Sequence, residues 1–435
     1  MERWKHELPT VEPFYAVKCL PDPIVLKVLS SMGCNFDCAT MKEIDLVVNN
    51  LDDQSVRLRG TIPTSIVYSN PAKMPHMLDF AIKTGVQMTV FDGEDELFKI
   101  AAMEGREQLQ LLLRLATDDA ASICQFSTKF GCPVDEAPYL LELAQSLGLH
   151  VAGVSFHVGS GCGNANAYTT ALEHTQRVFE AAERLGMSAL HIVDIGGGFP
   201  GEERGYGGPG MPTFAELCSV IRQGIVRFLE NLGRPASQEA IRFIAEPGRF
   251  FVSASTTIAT KVFSRKGGRK NHQQALYVDD GVYGSFNNVV YDHATPVPEK
   301  LTKRRGNLPA LSAGFTLPLS QLSSNRSVRR LQRDRGSSVS DQQSSIFRDY
   351  EKANPSHINS EESDENKQDE ERIPSFVFGP TCDGLDQMCS IESTRLPRCE
   401  VGDWLVWTNQ GAYTHTASFD FNGFTHVPRR MYCSF

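Results

Sequence analysis

Four short segments of the sequence contain residue types that together could bind and activate a phosphorylated small molecule. Lys18 follows the apolar run FYAV, and His157 follows GVSF and precedes a loop of small residues. Residues 196–198 are three consecutive glycines, which let backbone N–H groups approach an anion closely. Glu246 and Arg249 lie within AEPGR, where the planar guanidinium of arginine suits the oxygens of a phosphate.

Each of these segments is a weak signal by itself. A lone lysine at this kind of position is more often a solvated strand end than a catalyst. A lone histidine is usually structural and hydrogen-bonded, and a run of glycines can equally form a tight turn. The segments therefore gain meaning only from the elements that bring them together.

Those elements repeat along the chain up to about residue 256. Short apolar runs alternate with longer stretches that are compatible with helices, which is typical of a parallel sheet covered by helices. The runs end at or near these polar residues: Lys18, Asp37, Asn70, Asp92, Arg114, His157, Asp194 and Glu246. Some of them could simply cap helices, but lysine and arginine do not cap helix N-termini. We therefore predict an α/β fold, a (β/α)8 TIM-like barrel over residues 13–256, with the functional site at the C-terminal ends of its strands.

Residues 257–435 follow a different pattern. Short runs such as ALYV at 275–278 and WLVW at 404–407 lie between turn-like segments, which predicts a smaller all-β domain. Within it, residues 299–372 are rich in Ser, Gln, Asn and charged residues and poor in aromatic ones. Such a segment cannot bury enough apolar surface to offset its ordering entropy. We predict that it is a disordered, low-complexity insertion.

The overall composition excludes several classes of protein. With 435 residues the chain can hold two domains, and a net charge of −9 argues against binding to nucleic acid or anionic membranes. The sequence contains no apolar run of the ~20 residues that a membrane helix needs, and no apolar stretch follows the charged N-terminus. The eleven cysteines form no CxxC pair, which favours reduced thiols over disulfides or a zinc site. We expect a cytoplasmic protein without a bound metal.

Together the four segments supply what pyridoxal 5'-phosphate requires: an amine for covalent attachment, a phosphate cradle, an aromatic face and an acid for the pyridine nitrogen. In this order they resemble the fold-type III, alanine-racemase-like family of pyridoxal-phosphate decarboxylases. The resemblance covers nearly the whole chain apart from the insertion. DGVYGSF at 280–286, YDHA at 291–294 and GPTCDGLD at 379–386 resemble the eukaryotic-type ornithine decarboxylases. Diaminopimelate decarboxylases differ, with a Cys-Glu-Ser-type sequence in place of CDG at 382–384.

The resemblance implies roles for residues around the cofactor. Lys18 would hold it covalently, His157 would stack on its ring, and Glu246 would pair with its pyridine nitrogen. The implied cofactor-binding set is Lys18, Asp37, Arg114, His157, Ser160, Gly197, Gly198, Glu246, Arg249 and Tyr413. Within this set, the glycines, the serine, Arg249 and Tyr413 would bind the phosphate.

The implied reaction is decarboxylation of L-ornithine to putrescine and CO2. Cys382 would return a proton to Cα, while Tyr291, Asp292 and Asp383 would bind the substrate, because carboxylates suit a distal ammonium. Cys382 and Asp383 would reach into a neighbouring subunit, which implies a head-to-tail homodimer with shared active sites. Lys129 corresponds to an interfacial ion-pair residue of the family.

Two alternatives remain open at this point. A relative resembling antizyme inhibitor would bind antizyme without decarboxylating, which makes antizyme a candidate partner. Loss of catalytic residues marks such regulators, whereas this chain keeps Lys18, His157, Glu246 and Cys382. A decarboxylase of lysine or arginine is the other alternative, since one methylene is worth only about 1–3 kcal/mol of discrimination.

Overall fold

The structure is a computed structural model that describes residues 1–51, 65–188, 190–201, 210–233, 241–267, 272–301, 371–424 and 432. Its first part is a closed barrel of parallel strands. Numbered in chain order, the barrel strands are β1 (Val11–Ala16), β2 (Asn35–Cys38), β3 (Ile66–Tyr68), β4 (Met88–Phe91), β5 (Gln110–Leu115), β7 (Val151–Phe156), β9 (Ile192–Asp194) and β10 (Arg242–Ala245). The two short strands β6 (Ser122–Cys124) and β8 (Ser160–Cys162) pair with each other in a separate sheet. Each pairs with its neighbour in the order β1-β10-β9-β7-β5-β4-β3-β2, and β2 closes the ring onto β1.

Helices follow the barrel strands and cover the outside of the barrel. They are α1 (Glu2–Glu7), α2 (Pro23–Ser31), α3 (Met41–Leu51), α4 (Pro75–Thr84), α5 (Glu94–Ala101), α6 (Ala137–Ser146), α7 (Asn166–Arg184), α8 (Phe214–Asn231) and the short α9 (Arg249–Val252). Their starts are encoded locally. Asp22 accepts hydrogen bonds from the first N–H groups of α2, and Thr213 and Glu216 form a capping box that begins α8.

Apolar side chains fill the interior of the barrel, and others pack between its outer surface and the helices. The interior cluster consists of Phe14, Val67, Met88, Val90, Leu112, Ala152, Ile192 and Ile244, all buried. Because strand side chains alternate, the other residues of the same strands pack outward against the helices. Gly153 is required by this geometry, since a Cβ there would lie 2.0 Å from the carbonyl oxygen of Ile192.

The second part is a curled, mostly antiparallel sheet. Its strands are β11 (Ile258–Gly267), β12 (Gln274–Val278), β13 (Glu299–Lys300), β14 (Ile373–Phe378), β15 (Gln387–Cys389), β16 (Arg395–Leu396) and β17 (Trp404–Trp407). The order is β13-β17-β11-β12-β14-β15, with β16 beside β14. Trp407 and Phe286 meet edge to face, 4.7 Å apart, at the centre of the core of this sheet. A single-turn helix, α10 (Asn288–Tyr291), leads away from it.

The predicted fold class, a barrel followed by a smaller β-domain, is confirmed. The exact boundary between residues 256 and 257 stays a prediction. Most of the predicted insertion, residues 302–370, lies outside the described residues. Its first residues differ from the prediction: Glu299 and Lys300 form β13 and pair with β17, because their backbone groups complete that edge of the sheet. None of the described helices is long and apolar enough to cross a membrane.

Candidate functional site

The C-terminal ends of the barrel strands bring the predicted cofactor residues together. Asp37 lies within β2 and Arg114 within β5, while His157 and Glu246 directly follow β7 and β10. The strand was predicted to end at Val17, but β1 ends at Ala16. Lys18 lies in the 3-10 turn that immediately follows. The turn lifts the lysine above the barrel rim, which is where the other side chains converge.

Lys18 and Asp37 form the first contact of the site. Nζ of Lys18 lies 3.6 Å from Oδ2 of Asp37; the lysine side chain is 41% exposed, whereas the carboxylate is fully buried. Ser69 donates a short hydrogen bond to the other oxygen of Asp37. The charge of Asp37 raises the pKa of Lys18, against the opposing effect of burial, and Glu246 adds to the increase. Asp37 therefore anchors the amine at a fixed position.

A pair of buried carboxyl groups lies behind the lysine. Asp194 and Glu246 interact closely enough that each changes the pKa of the other. Burial raises the pKa of Asp194 to about 6, and burial together with Asp194 raises the pKa of Glu246 well above its usual value. Gly196 N–H and the Ser155 hydroxyl donate to Asp194. Oε1 of Glu246 is buried and, among the described residues, accepts no hydrogen bond.

His157 is held as a neutral ring. Its Nδ1 accepts a hydrogen bond of 3.0 Å from the N–H of Gly159, which leaves the ring proton on Nε2. Burial, followed by the charges of Arg114 and Lys18, lowers its pKa well below the usual range. Phe126 contacts the ring edge to face at 4.9 Å. A neutral, fixed ring can stack against a planar ligand without adding charge.

The glycine turn after β9 is a close-packed cradle. Gly196 and Gly198 have φ values of 65° and 105°, which favour glycine. A Cβ on Gly197 would lie 2.8 Å from Nε2 of His157 and 2.8 Å from the carbonyl oxygen of Glu246. The hydroxyl of Tyr168 donates to the carbonyl of Gly197 at 2.6 Å and fixes the turn from below. Glycine is needed in this turn for two reasons: the positive φ values, and the close packing of the turn against His157 and the backbone of Glu246.

Arg249 is the cation beside this cradle. Its Nη2 donates to Oγ of Ser160 at 3.1 Å and to both carboxylate oxygens of Asp292, at 2.8 and 3.0 Å. The guanidinium carbon lies 5.1 Å from the centre of the Tyr413 ring. Tyr413 is fixed in the left-handed region, with φ 56°, and its N–H donates to the carbonyl of Cys19. Four predicted residues thus form one cluster, although Asp292 was expected to face the substrate.

Cys382 and Asp383 form a separate group in the β-domain. The exposed Cys382 donates through Sγ to Oδ1 of Asn422 at 3.4 Å. Tyr283 donates a short hydrogen bond to Asp383, which lowers the pKa of Asp383 and raises the pKa of Tyr283 to about 12. Tyr291, at the end of α10, is 62% exposed. The hydrogen bonds of Cys382 and Asp383 therefore stay within the β-domain.

Several residues that shape the site were given no role from the sequence. Glu43 accepts a hydrogen bond from the N–H of Ala39 and raises the pKa of Lys18. In the sequence it has the spacing of a capping residue after Thr40, and that local role gives no sign of its electrostatic effect on Lys18. Asp194 was predicted to end a strand, but its pairing with Glu246 spans 52 positions and leaves no local pattern.

The residues present fit pyridoxal phosphate. The buried, unsatisfied Oε1 of Glu246 suits a protonated ring nitrogen, and the glycine turn with Arg249 suits a phosphate. Lys18 supplies the amine, and His157 supplies a flat neutral face. Among the described residues there is no cluster of side chains that could hold a metal ion.

Comparison with known proteins identifies the family. Residues 1–253 match the family described as pyridoxal-dependent decarboxylase, pyridoxal binding domain, and residues 338–411 match its C-terminal sheet domain. Antizyme inhibitor 2 of Xenopus laevis is 36% identical, over 98% of this chain and 76% of its own length. Ornithine decarboxylase of Rattus norvegicus is 35% identical, over 97% and 75%. A lysine/ornithine decarboxylase of Vibrio vulnificus, complexed with putrescine, aligns with a TM-score of 0.70 and 27% identity, over 98% of this chain and 89% of that one. The chain belongs to the pyridoxal-dependent decarboxylase family, whose cofactor is pyridoxal phosphate.

Proposed function

We propose that the protein decarboxylates L-ornithine to putrescine and CO2. The observation that carries this proposal is that the barrel rim holds every group the cofactor needs. Lys18 is paired with Asp37, Glu246 is a buried carboxyl, and Arg249 lies beside the glycine turn. A protein that had lost catalysis would have no need to maintain a buried carboxyl pair with a raised pKa, because that pair costs stability.

In this proposal each residue has one task. Pyridoxal phosphate, when bound, supplies an electron sink for the electrons left at Cα when CO2 departs. Lys18 holds the cofactor covalently, and His157 stacks on its ring. Glu246 keeps the proton on the pyridine nitrogen, because a carboxylate there favours the cationic form. Asp37 and Arg114 keep the lysine in place.

The phosphate would lie against the glycine turn. The proposed phosphate-binding residues are Ser160, Gly197, Gly198, Arg249 and Tyr413. All of them lie in or beside the cluster around Arg249, and their donors are N–H, O–H and guanidinium groups.

Substrate specificity would come from carboxylates. Asp292 and Asp383 would bind the distal ammonium of ornithine, with Tyr291 beside them, and Cys382 would return a proton to Cα. Because Cys382 is exposed and bonded within the β-domain, we propose that it completes the site of a second copy of this chain. This makes the functional unit a homodimer with shared sites.

The proposal is tested by a substrate panel. Purified protein loaded with pyridoxal phosphate is incubated with L-ornithine, L-lysine and L-arginine, and the amine products are separated and quantified. We expect putrescine as the main product, with Lys18→Ala as the inactive control. A preference for cadaverine or agmatine would replace the proposed substrate with lysine or arginine.

A second candidate function follows from the similarity to antizyme inhibitor 2. In that case the protein would act by binding antizyme, and no amine would form from any amino acid in the panel. Retention of Lys18, His157, Glu246, Arg249, Asp292 and Cys382 favours the enzyme. Binding of antizyme alone would not decide between the two, because an active enzyme could also bind it; amine formation decides.

A further inference from the structure

The ion pair between Arg249 and Asp292 is an enclosed contact at the rim. Side chains of the pair are 8% and 10% exposed, and one nitrogen, Nη2, serves both oxygens of Asp292 and the hydroxyl of Ser160. Cys124 also reaches Asp292, with its Sγ 3.5 Å from Oδ1. The guanidinium of Arg249, next to the glycine turn, is therefore already bound by the carboxylate of Asp292 from the β-domain.

A phosphate at the cradle would be a second anion on the same guanidinium. Arginine has a planar fork with a limited number of donors, so each added acceptor draws hydrogen bonding and charge away from the other. Two anions brought close together also repel each other, and the repulsion is stronger in a partly buried site than in water. A cation placed on Asp292 would relieve that repulsion.

We propose that Asp292 and the cofactor's phosphate share Arg249, so that the binding of phosphate and of a diamine strengthen each other. The phosphate weakens the hold of Arg249 on Asp292, and the carboxylate becomes a better partner for an ammonium group. The ammonium in turn withdraws Asp292 from Arg249, and the guanidinium becomes a better partner for phosphate. By thermodynamic linkage the two effects are equal in size.

This inference rests on the proposed function only in the identity of the diamine. Sharing of Arg249 is a property of the pair itself, and it predicts how phosphate binds even when no amine is present. Asp292 thus acts as a positioning residue for Arg249 as well as a substrate carboxylate. Its opposite charge lowers the affinity for phosphate until the ammonium arrives.

The first experiment uses the full wild-type chain, freed of cofactor by treatment with hydroxylamine followed by dialysis. Inorganic phosphate is titrated calorimetrically at constant ionic strength, without putrescine and with saturating putrescine. We expect putrescine to lower the Kd of phosphate on the order of fivefold or more, the usual lower range for coupled sites. The reciprocal titration, putrescine with and without phosphate, must give the same factor.

The second experiment removes the competing charge. Asp292→Asn is expected to lower the Kd of phosphate about tenfold in the absence of amine, since a charge-assisted contact on Arg249 is lost. The same variant should lose the effect of putrescine. Asp79→Asn, a surface carboxylate paired with Lys83, is the matched control and should leave phosphate affinity unchanged.

The outcomes separate this inference from the proposed function. Unchanged or weaker phosphate binding by Asp292→Asn, with the fold retained by circular dichroism, would overturn the sharing of Arg249. Tighter phosphate binding by that variant, combined with no effect of putrescine on the wild type, would support the sharing and reject putrescine as the ligand of Asp292. The substrate panel then identifies the amine independently.

Discussion

The two groups of functional residues differ in how far a single chain completes them. At the barrel rim, Asp37, Asp194, Glu246 and Arg249 are buried, and three of them contact a residue of the same chain: Lys18 for Asp37, Gly196 for Asp194 and Asp292 for Arg249. In the β-domain, the thiol of Cys382 is exposed and its partner is a surface amide. The first group is assembled from strand ends of one barrel, whereas the second lies on a surface.

This difference has a physical cause. Charges that must act on a cofactor gain strength from a low dielectric, and the barrel rim provides it because Asp37, Asp194 and Glu246 are buried there. A thiol that returns a proton also works best away from bulk water. Cys382 would gain such an environment only by meeting another surface, which is the argument for a shared site.

The largest expected loss of activity comes from replacing Lys18 at the barrel rim. Lys18→Ala should reduce decarboxylation at least about a hundredfold, because the amine holds the cofactor covalently. Reduction of the wild-type holoenzyme with borohydride, followed by peptide mass spectrometry, should place the cofactor on Lys18. Lys83→Ala, an exposed lysine, is the control and should keep activity. Label on any other lysine would contradict the assignment.

A comparable loss of activity is expected from the β-domain side, without loss of the cofactor. Cys382→Ala should lower kcat on the order of a hundredfold, in the range of a lost general acid, while the affinity for pyridoxal phosphate stays near that of the wild type. Absorbance titration of the cofactor separates the two kinds of variant. A large drop in cofactor affinity would place Cys382 within the cofactor cradle instead.

Mixing the two variants tests whether the groups meet across a dimer. Lys18→Ala and Cys382→Ala chains that exchange freely form about half mixed dimers, each with one intact site and one doubly defective site. Activity should then recover to roughly a quarter of the wild-type level. If wild-type chains exchange and the mixture stays inactive, both groups belong to one chain.

A smaller effect concerns the buried carboxyl pair. The folded protein retains a proton on Asp194 up to pH about 6, whereas the unfolded chain releases it near 3.8. Between these values the folded state binds more protons, so the free energy of unfolding falls as the pH rises through that window. The destabilisation is fully present above it. Glu246, whose pKa is also raised, acts in the same direction.

Asp194→Asn removes this charge but keeps an acceptor for Gly196 N–H. Relative to the wild type, the cofactor-free variant should gain stability on going from pH 4.5 to 7.5, by roughly 1–3 kcal/mol. Thermal unfolding of both proteins at the two pH values measures the gain. An equal difference at both pH values would mean that the pair carries no excess proton.

The sequence was sufficient to predict the barrel because its signal is periodic and local. Lys18, Arg114 and His157 were found by their positions next to apolar runs, and the structure places all three at the rim. The strand before Lys18 was predicted to run to Val17, whereas β1 ends at Ala16 and Lys18 lies in the 3-10 turn that follows.

The side-chain contacts within each group could not be predicted from local sequence patterns. Arg249 and Asp292 are 43 positions apart, and Tyr283 and Asp383 are 100 apart. Neither pair has a periodic or motif signal, because tertiary packing alone brings them together. Family resemblance assigned Arg249 and Asp292 to two ligands, whereas the structure shows that the two side chains bind each other.

The smallest expected effect concerns the part of the β-domain that separates β13 from β14. Replacing residues 302–370 with a Gly/Ser linker of about twelve residues should leave kcat within about twofold, because the polar composition adds little to a core and loop length costs little. The N–H of Leu301 already donates to the carbonyl of Trp404 before the segment begins, so this edge of the sheet does not need residues 302–370.

The match to the C-terminal sheet domain begins at residue 338, so a second variant should remove only residues 302–337. If the longer deletion lowers kcat or the dimer fraction while the shorter one does not, residues 338–370 support the Cys382 group. If both deletions are neutral, that group depends on the sheet and on its partner surface alone.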